Sequence, residues 1–212
     1  MHRQQSPYAS LIVIDELSIK SKMTALLLMD FQRMVVDSYA IDQEALLGRV
    51  KRLAVAARNS GAMVIHVSVG FQMGYPEIRG RNSIFSSLKA AGLLATGDRS
   101  AEIHPELTPQ PGDVAITKQR VSAFAGTNLD MILRANNIDM LLLTGILTQG
   151  VVLSTLCHAA DMDYRAIVVA DGCSDKDLEV HRVLMERIFP DQARVATVEE
   201  CIGAIPRLQR CD

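Results

Sequence analysis

Tryptophan is absent from the 212 residues, and aromatic residues make up only 4% of the chain. With 49% hydrophobic residues, the composition is that of a globular protein whose core must be built from aliphatic side chains and ten methionines. Neither sign of charge is in large excess, because the chain has 22 Lys and Arg residues and 24 Asp and Glu residues, a net charge of −2. The sequence therefore predicts no binding to nucleic acid or to an anionic membrane. Apolar runs of about 20 residues, which a membrane-spanning helix needs, are also missing.

The four cysteines, at positions 157, 173, 201 and 211, form no C-x-x-C pair. This spacing favours reduced thiols, and we expect a cytoplasmic protein. Residues 1–22 precede Met23 and the first strong strand pattern, so they are interpreted as a peripheral N-terminal extension of a domain that covers 23–212. The apolar segment 10–14 has the pattern of an added edge strand.

From Thr24 onward, short apolar runs alternate with longer amphipathic ones, which is typical of a parallel sheet covered by helices on both faces. We therefore predict an α/β fold with a doubly wound, mainly parallel six-stranded sheet. The predicted strands are 24–29, 62–69, 114–117, 140–145, 166–170 and 194–197.

Helical spacing of Leu46, Val50, Leu53 and Ala57 predicts a helix that begins after Asp42 and ends at Gly61. Thr127 and Asp130 are predicted to form a capping box. Further helices are predicted at 149–162, 177–188 and 198–205. The stretch 70–112 is rich in Gly and Pro and predicts a long functional loop with one short helix at 83–90.

Reactive side chains follow three of the predicted strands. Asp30 comes directly after the first strand, Lys118 after the third, and the segment 147–150 follows the fourth and opens a helix. Ligands of open parallel sheets bind outside the carboxyl ends of the strands, so these residues are predicted to share one site. Taken singly, Asp30 is equally explained as a turn cap and Lys118 as a solvated surface lysine.

Three segments resemble the isochorismatase-like hydrolase superfamily: ALLLMDFQ around Asp30, the stretch 117–146, and the stretch 153–175. The resemblance implies a small-molecule site at the carboxyl edge of the sheet, usually in an oligomer. It also implies a catalytic Asp, Lys and Cys, of which Asp30 and Lys118 match the first two. Val151 occupies the position of the nucleophilic Cys, so a thioester route cannot run through it. Cys157 and Ser154 are poor substitutes, and Thr148 is a better ligand contact than nucleophile.

The isochorismate-cleaving branch of this superfamily also lacks the Cys, and the resemblance implies that its Asp donates a proton. Gln72 corresponds to a Gln that lies near the substrate in that branch. We therefore predict that Asp30 protonates an enol-ether carbon with help from Lys118. A nearby ammonium lowers a carboxyl pKa whereas a general acid needs a raised one, so burial or substrate charge must reverse this effect.

The remaining predicted contacts surround this edge. Leu147, Thr148 and Val151 are predicted to contact the substrate, and Arg79, Arg81 and Arg120 flank the rim as partners for substrate carboxylates. The loop after the second strand has no His, and His66 lies inside the strand, so no metal and no cofactor are predicted. The turn 171–175 is interpreted as a cap for the next helix.

Three hypotheses follow from the sequence. The first is a Cys-independent hydrolase of a small carboxylate- or amide-bearing metabolite. The second is a catalytically silent relative that binds a metabolite or serves as a partner subunit, which Val151 favours. The third is amide hydrolysis by water activated through Asp30, with backbone N–H groups of 147–151 as an oxyanion hole.

Overall fold

The computed structural model of the protein describes residues 17–206. In this range, six parallel strands form one sheet in the order β3-β2-β1-β4-β5-β6. The predicted doubly wound α/β fold is confirmed. The strands are β1 (Thr24–Met29), β2 (Met63–Val69), β3 (Val114–Lys118), β4 (Met140–Ile146), β5 (Arg165–Ser174) and β6 (Arg194–Ala196).

The sheet is buried on both faces because side chains of each strand alternate between two apolar layers. Leu26 and Leu28 of β1 pack into one cluster with helix residues such as Val50, whereas Leu27 and Met29 pack into the opposite cluster. All six residues of β1 and all seven of β4 are buried. This explains why both strands read as continuous apolar runs.

The strand order reverses direction between β1 and β4. The chain runs outward from β1 to β2 and β3 on one side, and from β4 to β5 and β6 on the other. The loops that leave β1 and β4 therefore diverge and leave a crevice at their carboxyl ends, which is where ligands of open α/β sheets bind. Asp30 lies at the end of β1, and residues 147–151 lie at the end of β4.

Between residues 17 and 206, seven α-helices cover the sheet. As predicted, the longest begins after Asp42, whose side chain accepts a hydrogen bond from Ala45 N, and ends at Gly61 with φ of 80°. A π-helical turn, Thr148–Val152, leads into the fifth helix, and another, Leu184–Ile188, continues the sixth. The helices are α1 (Arg33–Tyr39), α2 (Gln43–Ser60), α3 (Ser83–Ala91), α4 (Leu129–Ala135), α5 (Leu153–Asp161), α6 (Leu178–Val183) and α7 (Val198–Ala204).

Three local predictions need correction. Helix α1, which has two turns and buries Val35 and Val36, was not predicted from the sequence. The capping box at Thr127 is formed only in part. Thr127 Oγ1 accepts from the N–H of Leu129, but Asp130 accepts from Arg134 and from the hydroxyl of Tyr164 instead of completing the box, and Asn128 at the N-cap position of α4 makes no side-chain cap hydrogen bond. The turn at 171–175 is largely strand, since β5 continues through Ser174, and Asp177 caps α6.

The long segment between β2 and β3 contains the predicted short helix as α3 and builds a small apolar cluster of its own. Phe71 lies at its centre, with ring centroids 5.8 Å from Tyr75 and 5.5 Å from Phe85. The buried amide of Gln32 ties this segment to α1, because it donates to Val69 O and Ala101 O at 2.8 Å. The segment is thereby held over the carboxyl end of the sheet. The proposed edge strand at 10–14 lies outside the described residues.

Candidate active site

Asp30 and Lys118 form a buried ion pair at the carboxyl edge of the sheet. Lys118 Nζ donates to Asp30 Oδ2 at 2.9 Å, although the two residues are 88 positions apart in the chain. Lys118 is the last residue of β3 and is 1% exposed, and Asp30 is 6% exposed. The parallel strands thus bring together the two residues that the sequence analysis singled out.

The backbone holds each partner in place. Asp30 adopts a left-handed conformation with φ of 61°, and its N–H donates to Val67 O of β2 at 2.8 Å. The chain bends here, between the end of β1 and the start of α1. Lys118 Nζ makes a second hydrogen bond, to the carbonyl oxygen of Arg120 at 3.1 Å.

Burial decides the electrostatics of Asp30. Desolvation raises the pKa of its carboxyl group, and this effect outweighs the opposing influence of the Lys118 ammonium. Oδ1 of the same carboxyl group is buried and has no hydrogen-bond partner. A carboxyl group with a raised pKa and an unpaired oxygen suits proton donation, so the opposition from Lys118 noted above is overcome by burial.

The pair opens into a cavity of about 490 Å³. Its wall is mainly apolar and includes Val69 of β2, Leu88 of α3 and Ile146 of β4. The predicted site residues that line it are Asp30, Lys118, Leu147 and Val151. Residues from α1, α3 and the ends of four strands therefore meet in one concavity.

The other predicted contacts lie outside the residues that line this cavity. Thr148 is fully buried, and its Oγ1 lies 2.8 Å from His181 Nδ1. Gln72 and Arg79 are exposed. The guanidinium of Arg120 binds the carbonyl oxygens of Gln119 and Glu77, and only its own carbonyl reaches Lys118. A role for these four residues in substrate binding stays a prediction, and they are not carried into the site proposed below.

Val151 lies in the π-helical turn that follows β4. It is 2% exposed and lines the cavity. It lies so near β4 that a Cβ on Gly145 would stand 3.3 Å from Val151 Cγ1 and 2.9 Å from Met29 O, so a side chain at 145 would not fit.

Within the described chain, no cysteine lines this cavity. Burial raises the pKa values of Cys173 and Cys201 to about 12, which makes both thiols poor nucleophiles. Cys157, partly exposed on α5, also lies outside the cavity lining. Cys211 lies outside the described residues.

A clamp between two loops was not foreseen from the sequence. Asp175 is 1% exposed, and its two carboxylate oxygens accept from the backbone N–H and the side-chain amide of Gln149, both at 2.8 Å. Asp175 Oδ1 also lies 3.3 Å from the N–H of Asp177. Gln149 lines the cavity, so this clamp fixes the turn that carries Val151. The segments 147–150 and 171–175 were both noted, but no sequence pattern shows that they pair.

We expect Asp175→Asn to loosen this turn. The side-chain NH2 of Asn cannot accept a hydrogen bond, so one of the two N–H donors of Gln149 would lose its partner. Losing a hydrogen bond to a buried charged group costs about 1.5–3 kcal/mol of stability. Urea unfolding and hydrogen exchange at 148–152 measure this effect. The control is Asp177→Asn, which should change little because Asn and Asp are similar N-caps. Equal stability of the two variants would contradict the clamp.

In residues 17–206, no helix has the length and apolar character needed to cross a membrane. Over the same residues, no group of three or more His, Cys, Asp and Glu side chains is arranged to hold a metal ion. His66 pairs with Asp113, at 3.0 Å, away from the cavity.

The chain is similar to known proteins over most of its length. Residues 24–200 match the model of the isochorismatase domain. The uncharacterized isochorismatase family protein YwoC of Bacillus subtilis is 31% identical over 194 residues, which are 91% of this chain and 100% of that protein. The ureidoacrylate amidohydrolase RutB of Stutzerimonas stutzeri is 30% identical, over 89% of this chain and 81% of its own.

Solved structures agree with the sequence matches. An N-carbamoylsarcosine amidase from Thermoplasma acidophilum superposes with a TM-score of 0.69 and 28% identity, covering 83% of this chain and 96% of its own. A cysteine hydrolase from Pseudomonas syringae shares the fold, with a TM-score of 0.82 at 23% identity over 88% of this chain and 94% of its own. The domain match over residues 24–200 and the similarity to YwoC show that the chain belongs to the isochorismatase family of hydrolases.

Proposed function

We propose that the protein hydrolyses a small metabolite that bears a carboxylate or amide group, by a route that uses no cysteine. Asp30 acts as general acid and base, and Lys118 assists it. The observation that supports this proposal is the buried Asp30–Lys118 pair at the cavity, with Asp30 Oδ1 unpaired and the pKa of Asp30 raised.

Cleavage of a vinyl ether fits this geometry best. Protonated Asp30 donates its proton to the enol-ether carbon, and an oxocarbenium ion forms. Water adds to that ion and returns a proton to Asp30, and the resulting hemiketal breaks into a ketone and an alcohol. When Asp30 gives up its proton, the carboxylate that remains is stabilised by Lys118 at 2.9 Å.

Amide hydrolysis is the second candidate, because relatives are named as amidases for ureidoacrylate and N-carbamoylsarcosine. Without a thiol in the described lining, water would have to attack, with Asp30 ionised as its base. Burial works against that ionised form, since it raises the pKa of Asp30. For this reason the vinyl-ether route is preferred.

Pyruvate release from isochorismate by the purified protein tests the proposal. A parallel panel measures ammonia release from ureidoacrylate and N-carbamoylsarcosine. If Asp30 acts as an acid, the rate should fall as the pH rises through its raised pKa; if it acts as a base, the rate should rise over that range. No turnover of either class would favour the silent, metabolite-binding protein. The small-molecule substrate, homo-oligomeric assembly and cytoplasmic location stay predictions.

We expect Val151→Cys to produce a reactive thiol. The new side chain would be buried, which opposes a thiolate, but it would lie at the start of a helix and beside the cavity that holds Lys118, and we expect these two stabilising features to outweigh burial. Its pKa should fall below the value of about 8.5 of a free cysteine, and alkylation should be correspondingly fast. The pH dependence of iodoacetamide labelling measures this.

The control for that experiment is Ser154→Cys, one turn further along the same helix and outside the cavity lining. Its thiol should react at an ordinary rate. If the thiols at 151 and 154 behave alike, the cavity is not arranged to activate a nucleophile.

A further inference from the structure

We infer that Lys176 is the substrate-anchoring residue of the cavity and that it selects ligands with a carboxylate or similar anionic group. This inference rests on the proposed site and names the class of ligand it takes. Among the described residues that line the cavity, three are acidic or basic residues: Asp30, Lys118 and Lys176. The hydrogen bonds of Lys118 to Asp30 and Arg120 O engage its ammonium at the floor.

Lys176 is differently placed. It is exposed where Lys118 is buried, and no carboxylate within residues 17–206 forms a salt bridge with it. Its two sequence neighbours are acids, but the carboxylate of each is engaged in other hydrogen bonds. Asp175 binds Gln149, and Asp177 accepts from the N–H groups of Glu179 and Val180. A cation without a carboxylate partner at the mouth of a cavity is suited to a ligand anion.

The backbone on both sides of Lys176 is held. Asp175 is clamped to the turn after β4, and Asp177 caps α6. The lysine therefore extends from a fixed point, and less conformational freedom is lost when a ligand binds it. The arginines that the sequence suggested for this task do not line the cavity, and Arg120 is engaged by carbonyl groups.

The other residues of the cavity wall indicate the character of the rest of the ligand. Met34, Ile84 and Leu88 present apolar side chains, and Ile84 is 62% exposed although it lines the cavity. Covering such a side chain with an apolar ligand is favourable. The structure thus favours a small acid with an apolar body.

Calorimetric titration with benzoate and with its neutral isostere benzamide tests this inference without turnover. The wild type should bind benzoate about fivefold more tightly than benzamide at low ionic strength, and the preference should shrink as salt is added. Lys176→Gln should abolish the preference, and Lys176→Arg should keep it. Lys89→Gln, an exposed lysine of α3 outside the cavity lining, should behave like the wild type.

Equal affinities for the two probes, no detectable binding of benzoate, or a preference that survives in Lys176→Gln would each overturn the inference. Its failure is distinguishable from that of the proposed hydrolysis. A protein that hydrolyses nothing but prefers benzoate through Lys176 contradicts the hydrolysis alone, and active protein with no such preference contradicts the anchor alone.

Discussion

Asp30→Asn is expected to lower the rate of hydrolysis by about 10²–10⁴-fold, the usual contribution of a general acid or base. Asn keeps the shape of the side chain and can still accept from Lys118, but it has no acidic proton to donate. The loss should appear in kcat, because the proton is transferred in the chemical step and not when the substrate binds. Steady-state rates on the substrate found in the panel above measure it, and the pH dependence assigned to Asp30 should disappear.

The variant removes one partner of a buried pair, so reduced stability must be separated from lost chemistry. Lys118, which is 1% exposed, would then have a neutral neighbour in place of a carboxyl group that can ionise. A double variant, Asp30→Asn with Lys118→Met, removes both charges and serves as the control. It should be more stable than Asp30→Asn alone and remain inactive. Activity within a few-fold of wild type in a folded Asp30→Asn protein would show that Asp30 is not the acid.

Lys118→Met is expected to destabilise the protein by about 3–5 kcal/mol when Asp30 is ionised, the cost of leaving one member of a buried pair uncompensated. Lys118 is the group that lowers the pKa of Asp30 against the effect of burial, so its removal raises that pKa further. In the folded variant, Asp30 then keeps its carboxyl proton at pH values at which Asp30 of the unfolded chain has already lost it. Stability should therefore fall as the pH rises above about 4, the unfolded value, and level off above the folded pKa.

Urea unfolding over a series of pH values checks the sign. At the acidic end, where Asp30 is neutral in both states, the variant and the wild type should differ least. Adding Asp30→Asn to Lys118→Met should remove the part of the loss that depends on pH, because no group at position 30 then titrates. A loss that is the same at every pH would show that the ammonium contributes packing alone.

The Asp30–Lys118 pair and the absence of a thiol at position 151 together favour one type of reaction. The helix start after β4 carries an aliphatic side chain, so the cavity offers a carboxyl group and an ammonium in apolar surroundings. Such surroundings favour the neutral form of a carboxyl group. Vinyl-ether cleavage starts with proton donation and uses the neutral form directly. Amide hydrolysis by activated water needs the ionised form, so Asp30 must first lose its proton against the effect of burial.

Much of this arrangement follows from local sequence patterns. Continuous apolar runs predict buried parallel strands, and strand ends predict where ligands meet, so Asp30 and Lys118 could be placed together before any coordinates. The helix α1 was missed because its seven residues carry too few turns to show a period. The capping box at Thr127 formed only in part: Thr127 Oγ1 accepts from the N–H of Leu129, but the Asp130 carboxylate is taken by Arg134 and by the hydroxyl of Tyr164, which is distant in the sequence.

The amino-acid order by itself determined the fold class and the pair of opposite charges, because hydrophobic periodicity and strand ends are local properties of the chain. Three features were decided only by the tertiary structure: the raised pKa of Asp30, the clamp from Asp175 to Gln149, and the position of Lys176 at the cavity while Arg79 and Arg120 lie elsewhere. Each depends on what surrounds a side chain in space. Desolvation and hydrogen bonds between distant segments arise from packing, which no spacing within the sequence records.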